Sequence, residues 1–575
     1  MAIAWQGAAV ADDIVNLGPL ALIHPLLQQL DVAHVIDRHL PPDPQLEFSH
    51  GQVLSLLLAA RLSEPTALIN VPAWAEKSGA ELLWDIPADK LNDDRLGRAL
   101  DAFFEQRHSI LAGVTDYAVR WAELSLERLH FDTTHLVFYG AYADSMPRPP
   151  TVSETLLGDA ALAPAHITHG YLTPYKMLQA GLTAVVDDLG ALPVLCHVLD
   201  GNRNGHTAIA EQFDLLATHV SLPDQVLFVS DRGTFSAEHA GRMLRHGHRV
   251  LCAVPWNDYR ALYDQQEATL AWHEASFRSQ EQQRRRDTGS MLPLEHYELA
   301  VLRHTLTDPT NRQEIPARLI FVYSTADATL CRQHRQENIA KIQTGLAELA
   351  TKVERGHPCT TVGSVQRQIA RLLGKRDAAR FFHWELIPLS AEEQAARPAP
   401  RKGFRRPTHR LTYTFDAEAA AADDRYDGLS VLVTTAPITT SADVLFTQYK
   451  QQNYLERDHH QWKTPLAVRP VFLKSPRRVE ALLCLLHIAL QAHQLLERLY
   501  RQRVPADAPR NERRCTAESL LRDFKVCGVL LSHTPIGPVV RATRPTTRQR
   551  QILNRLQFPT VAKTLARSLP HVPTG

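Results

Sequence analysis

The hydrophobic rhythm of this chain changes at residue 129, and that change fixes its fold class. Up to that point apolar residues recur at helical spacing; beyond it come short β-branched and apolar runs separated by turn residues. Leu129-His130-Phe131-Asp132-Thr133-Thr134 reads as a strand, and a hairpin follows with arms Leu182 to Val186 and Pro193 to Leu199 around Asp187-Asp188-Leu189-Gly190. Next come a helix from His206 to Val220, a buried strand Val226 to Val229 ending in Ser230-Asp231-Arg232-Gly233, a helix from Ser236 to His246, and a strand Arg249 to Val254. The order strand, strand, strand, helix, strand, helix, strand predicts an α/β fold. Its core is a mixed sheet covered by helices, with the first three strands antiparallel.

Residues 1–128 are expected to form a helical N-terminal domain that binds DNA or oligomerises. Ser49 and Gln52 have the spacing of a capping box before the apolar run Val53 to Ala60. Asn92 can cap a helix with Leu96, Leu100, Phe103 and Phe104 on one face. The core's first part spans 129–255, and an insertion spans 256–440. It holds a strand-like segment, Leu319 to Tyr323, and a long helical region from Glu337 to Lys375. Arg401, Lys402, Arg405, Arg406 and Arg410 cluster among loop formers there, as a basic loop touching phosphate or as a solvated linker. The strand Leu429 to Thr434 closes the insertion. Residues 441–500 return to the core on a helix, and 501–575 form a basic C-terminal region.

At 575 residues with 44% hydrophobic and 22% charged residues, the chain can bury several cores and is not disordered throughout. Its net charge of +1 hides an asymmetry: residues 1–131 carry −9 and residues 464–575 carry +13. A basic tail suits a polyanion, because each neutralised phosphate releases counterions; it also suits packing on the acidic head. Seven cysteines without a C-x-x-C pair predict a reducing, cytoplasmic setting, and Cys331 with His334 lacks the second pair a zinc site needs. The apolar stretch Ala481 to Leu490, interrupted by His487, is short for a bilayer and reads as a core helix, so no membrane partner is expected.

Asp132 beside a strand, Asp231 at the end of another and Glu456 on a helix could be gathered by such a sheet, whose ligand sites favour the carboxyl ends of strands. Carboxylate oxygens suit hard divalent cations. Tyr449, Glu456 and Lys463 are spaced by seven, so an uninterrupted helix would align them along one stripe. Singly, each acid reads better as an ordinary surface or turn residue.

The stripe reads Tyr449-x2-Gln452-x3-Glu456-x6-Lys463, and it resembles the Tyr-x2-Arg-x3-Glu-x6-Lys signature of DDE transposases of the insertion-sequence-four superfamily. Val468-Arg469-Pro470-Val471, then Arg477-Arg478 and a leucine-rich helix, resemble its sixteen-thirty-four branch; so do Leu17-Gly18-Pro19-Leu20 and the stretch Lys90 to Leu100. The order of elements is similar to a ribonuclease-H-like fold. The resemblance implies a catalytic and metal-binding triad of Asp132, Asp231 and Glu456, holding two Mg²⁺ ions with Mn²⁺ able to substitute. It implies contacts to double-stranded DNA by Tyr449, Gln452, Lys463, Arg469, Arg477 and Arg478, and action as a homodimer on element ends and target. Gln452 departs from the signature arginine: it can donate a hydrogen bond but brings no charge. Three other readings stay open: a nuclease of the same fold without strand transfer, a catalytically silent DNA-binding descendant, and a two-carboxylate glycosidase.

Overall fold

The computed structural model describes residues 12–147, 163–170, 174–279, 282, 295–358, 360–374, 376–400, 402–463, 473–534 and 537–568. A short strand, β1 (Asp12–Asn16), leads into helices α1 (Leu20–Gln29), α2 (Val32–His39), α3 (His50–Ser63), α4 (Asp93–Glu105) and α5 (Arg107–Trp121). The capping box forms as the sequence predicts, with Gln52 N donating to Ser49 Oγ at 3.1 Å and Ser49 N to Gln52 Oε1 at 2.8 Å. Asn92 Oδ1 caps α4 by accepting from Arg95 N at 2.9 Å, and Leu96, Leu100, Phe103 and Phe104 are buried.

The sheet begins with β2 (Arg128–Phe138), β3 (Thr168–His169), β4 (Lys176–Asp187) and β5 (Gly190–Asp200). After α6 (Gly205–His219) come β6 (Leu227–Ser230), α7 (Ala237–Arg245) and β7 (Arg249–Val254). In space the order is β5-β4-β2-β6-β7. The β5–β4 and β4–β2 pairings are antiparallel, whereas β2–β6 and β6–β7 are parallel. The first strand of this sheet in sequence, β2, therefore lies inside it with strands on both sides, where hydrophobic residues can be covered on both faces.

The expected insertion is only partly outside this sheet. Beyond α8 (Trp256–Gln266) and β8 (His273–Glu274), strands β9 (Tyr297–Thr307) and β10 (Glu314–Ser324) join it. Next in sequence come α9 (Thr325–Glu354), α10 (Val362–Leu373), β11 (Phe382–Pro388), β12 (His409–Phe415) and β13 (Leu429–Thr434). β13 sits between β7 and β10, antiparallel to both, so the buried Leu319, Phe321, Val431 and Val433 find cover within the main core. Residues 325–428 form a lobe with its own core around Ile342, Leu346, Val365, Ile369 and Phe381. The single helical region expected over 337–375 is two helices. Gly356 between them has φ +68°, and a Cβ there would lie 1.7 Å from the Arg405 carbonyl.

The chain returns through α11 (Ala442–Lys450), α12 (Asn453–Lys463) and α13 (Pro476–Gln502), then α14 (Ala517–Asp523), β14 (Gly528–Thr534), β15 (Gly537–Ala542), α15 (Thr547–Leu556) and α16 (Val561–Ser568). α13 is long and apolar enough to cross a membrane, yet its apolar window is wholly buried between β5 and α3, α4 and α5. Two of its buried polar side chains are bonded inside: Glu480 bonds to Arg107 Nε at 2.8 Å and to Ala165 N at 2.7 Å, and Gln491 bonds to Thr115 and the Pro193 carbonyl. β14 pairs with β1, which joins the two ends of the chain.

Candidate active site

Register places the first two acids. β2 and β6 run parallel with Phe131 opposite Ser230, so the next residue on each path is an aspartate, Asp132 and Asp231. Both use the same local bond: Thr133 N donates to Asp132 Oδ1 at 2.7 Å, and Arg232 N donates to Asp231 Oδ1 at 2.7 Å. The turn after Asp231 is fixed by Thr234 Oγ1 and Cys252 Sγ, which both donate to its carbonyl, at 2.7 and 3.2 Å. Asp231 is exposed at the carboxyl end of β6. Asp132 is partly covered, because α12 packs across β2.

Glu456 lies in the first turn of α12, exposed, and Lys463 is the last residue of that helix. Their charges reach Asp132. Burial pushes the Asp132 carboxyl up to about 7; the Thr133 N–H opposes the rise, the charges of Asp231 and Glu456 add to it, and Lys463 opposes it. The acids therefore share one electrostatic neighbourhood. Among the described residues, however, no three His, Cys, Asp or Glu side chains form a cluster that could hold a metal ion.

The single helical stripe is corrected. α11 ends at Lys450 and α12 begins at Asn453, so Tyr449 stands on one helix and Glu456 with Lys463 on the next. Between them the backbone tightens to three-residue turns, with Gln452 N bonded to the Tyr449 carbonyl at 3.0 Å and Tyr454 N to the Gln451 carbonyl at 3.0 Å. Tyr449 still reaches the site: its hydroxyl donates to Asp231 Oδ1 at 3.2 Å. Burial and the Asp231 charge hold its phenol well above the ordinary range, so the proton stays on oxygen.

Three other residues expected at DNA have partners within the chain. The buried Gln452 amide is engaged on β2, through His130 Nδ1 at 2.8 Å and the Phe131 carbonyl at 2.9 Å. Arg477 pairs with Glu105 and lies over Phe104, and Arg478 binds Asp101 at 2.7 Å. Both arginines dock the start of α13 on α4, where the acidic head supplies their counter-charges. Arg469 lies outside the described residues. Much of the tail's charge is likewise internal, as in Arg548–Asp523 and Arg555–Glu512.

Two histidines escaped the sequence reading. His459 Nδ1 lies 3.4 Å from Asp132 Oδ2, and burial lowers the ring to about 3, so this is a neutral imidazole beside a carboxyl group. His130 is buried and held neutral in the same way, at about 3. The signals were period and turn: His130 and Asp132 share a face of β2, and His459 sits one helical turn beyond Glu456.

Residues 12–114 match a domain of unknown function, DUF4277, which covers β1 and most of the N-terminal helices and ends before β2. No curated protein matches the chain. Among solved structures, the piggyBac transposase synaptic complex with hairpin DNA aligns over 99% of this chain and 88% of that chain, at 8% identity and a TM-score of 0.33. At those values a common fold does not follow.

Proposed function

We propose that this chain is a DNA transposase with a ribonuclease-H-like core, which cuts element ends and joins the freed 3′-hydroxyl to target DNA. The observation that carries the reading is the register of β2 and β6: it sets Asp132, within β2, level with Asp231, just past the carboxyl end of β6, with the Glu456 helix packed on β2. The strand order β5-β4-β2-β6-β7, two antiparallel pairings then two parallel ones, supports the fold assignment.

Three carboxylates suit a hard cation such as Mg²⁺ in kind, and an Asp132 carboxyl raised to about 7 beside two more acids is a site where added positive charge would be favourable. Asp132, Asp231 and Glu456 would hold the ions. Bound there, they would stabilise the attacking and leaving oxygens of an in-line displacement at phosphorus. Tyr449 fixes the Asp231 carboxylate by its hydrogen bond. Lys463, at the end of α12, would hold a strand phosphate, and the exposed arginines of the C-terminal region would hold flanking duplex. Assembly as a homodimer on paired ends belongs to the same proposal.

The absence of a metal-sized cluster among the described residues favours a second reading, a catalytically silent DNA-binding descendant. Cleavage of duplex DNA from the ends flanking the gene decides between them. The parent protein is expected to cut in Mg²⁺, and Asp231→Ala and Glu456→Ala to abolish cutting while still binding. Binding without cleavage by the parent supports the silent reading. Cutting without joining of precut 3′-hydroxyl ends identifies a nuclease.

A further inference from the structure

Gln452 stands where the transposase signature carries arginine, yet it faces inward with 7% of its surface exposed. An amide has one donor end and one acceptor end. The Phe131 carbonyl only accepts, so Nε2 must face it, at 2.9 Å. That leaves Oε1 for His130, 2.8 Å away, and because Oε1 only accepts, His130 Nδ1 must carry a proton. Both partners lie on β2, immediately before Asp132. The backbone of Gln452 meanwhile starts the Glu456 helix: its carbonyl accepts from Leu455 N at 2.9 Å and from Glu456 N at 3.3 Å. One residue is therefore bonded through its side chain to the Asp132 strand and through its main chain to the turn that bears Glu456.

We propose that Gln452 is a positioning residue, a two-pronged strap that sets the reach from Glu456 to Asp132 and makes no contact with DNA. The proposal rests on reading Asp132, Asp231 and Glu456 as the reacting acids. Arginine cannot replace the strap. A guanidinium could donate to the Phe131 carbonyl, but it would oppose the His130 N–H with a second donor and bury a charge. Leucine removes both bonds and leaves a carbonyl and an N–H unpaired in the interior. Glutamate retains an acceptor for His130 but turns a carboxylate oxygen toward the Phe131 carbonyl.

The test compares the parent, Gln452→Leu, Gln452→Glu, Gln452→Arg and Asp231→Ala. A fluorescein-labelled duplex taken from the DNA flanking the gene is the binding and cleavage probe. The ¹⁵N spectrum of the histidine rings, with His130 identified by its loss in His130→Asn, reports the strap without reference to activity. Gln452→Leu is expected to lower cleavage at saturating DNA by about 10–100-fold, as for other groups that orient metal ligands, with affinity and its salt dependence unchanged. The His130 Nδ1–H signal should shift in Gln452→Leu, stay close to the parent position in Gln452→Glu, and be unaffected by Asp231→Ala. Tighter, more salt-dependent binding by Gln452→Arg, or weaker binding by Gln452→Leu with its rate intact, makes Gln452 a DNA contact and overturns the proposal. Normal cleavage by Asp231→Ala overturns the assignment of the acids instead. In that case the His130 signal still decides the strap: if it is unmoved in Gln452→Leu, there is none.

Discussion

Asp132 is the residue on which the local electrostatics converge, and its state sets a pH dependence that can be measured without substrate. As an acid raised from 3.8 to about 7, it holds a proton in the native state that the unfolded chain has already released. Its contribution to stability is therefore nil below about 3.8, becomes steadily more unfavourable as pH rises to about 7, and is constant above that. Asp132→Asn removes the penalty and keeps an acceptor for Thr133 N. In EDTA it should stabilise the protein by roughly 1–3 kcal/mol at pH 8, allowing for partial exposure, and by nothing near pH 4. Thermal unfolding at the two pH values checks this; an equal gain at both assigns the effect to packing. The acids themselves were legible in the sequence because each lay within or just after a recognisable element. His130 and His459 were not, since a lone histidine in a strand or helix reads as structural until its neighbour is known.

Among the elements, the α2–α3 corner separates what capping contributes from what close approach requires. Ser49 caps α3 and its hydroxyl also donates to Asp37 Oδ2 at 2.6 Å. Gly51, near the start of the same helix, faces α2 so closely that a Cβ would lie 2.0 Å from the Ala33 carbonyl. Ser49→Ala should cost about 1–2 kcal/mol, the loss of a cap and a side-chain bond. Gly51→Ala should cost about 3 kcal/mol or more, because backbone must move. Urea unfolding of the two variants measures both, and equal stability of Gly51→Ala and Ser49→Ala contradicts the close crossing. The cap was visible as a Ser-x-x-Gln pattern; the crossing was not, because no local feature of Gly51 says which helix it meets. The broken stripe from Tyr449 to Lys463 teaches the same lesson. A spacing of seven fits one straight helix, but the Gln452 bonds to β2 tie the chain down between two.

At the scale of the molecule, the 325–428 lobe is attached at adjacent points. Ser324 N bonds to the Gly428 carbonyl at 3.0 Å, and the strands on either side, β10 and β13, are paired neighbours. Replacing the lobe by a short Gly-Ser linker closes a small gap and costs little chain entropy. Its ties to α8 are the pairs Arg260–Asp423 and Arg425–Asp264, of which the exposed Arg425–Asp264 is worth about 1 kcal/mol or less, and the Tyr426 ring against Trp256 and Tyr263. The shortened protein should unfold cooperatively with the sheet's circular dichroism retained, and the isolated lobe should give a dispersed amide spectrum from its own core. Loss of cooperativity in the shortened protein would show that the lobe is needed to hold the sheet together.

The sequence by itself determined the order of strands and helices from β2 to β7, the place of Asp132 within one strand and of Asp231 just after another, and the apolar character of Ala481 to Leu490, because periodicity and caps are local properties. Tertiary structure alone decided that β9, β10 and β13 extend the main sheet, that Arg477 and Arg478 face the acidic head, and that Gln452 turns inward. Each of those outcomes depends on which distant group can satisfy a buried donor, a charge or a strand edge, and partners hundreds of residues away leave no mark on the spacing of the residues they meet.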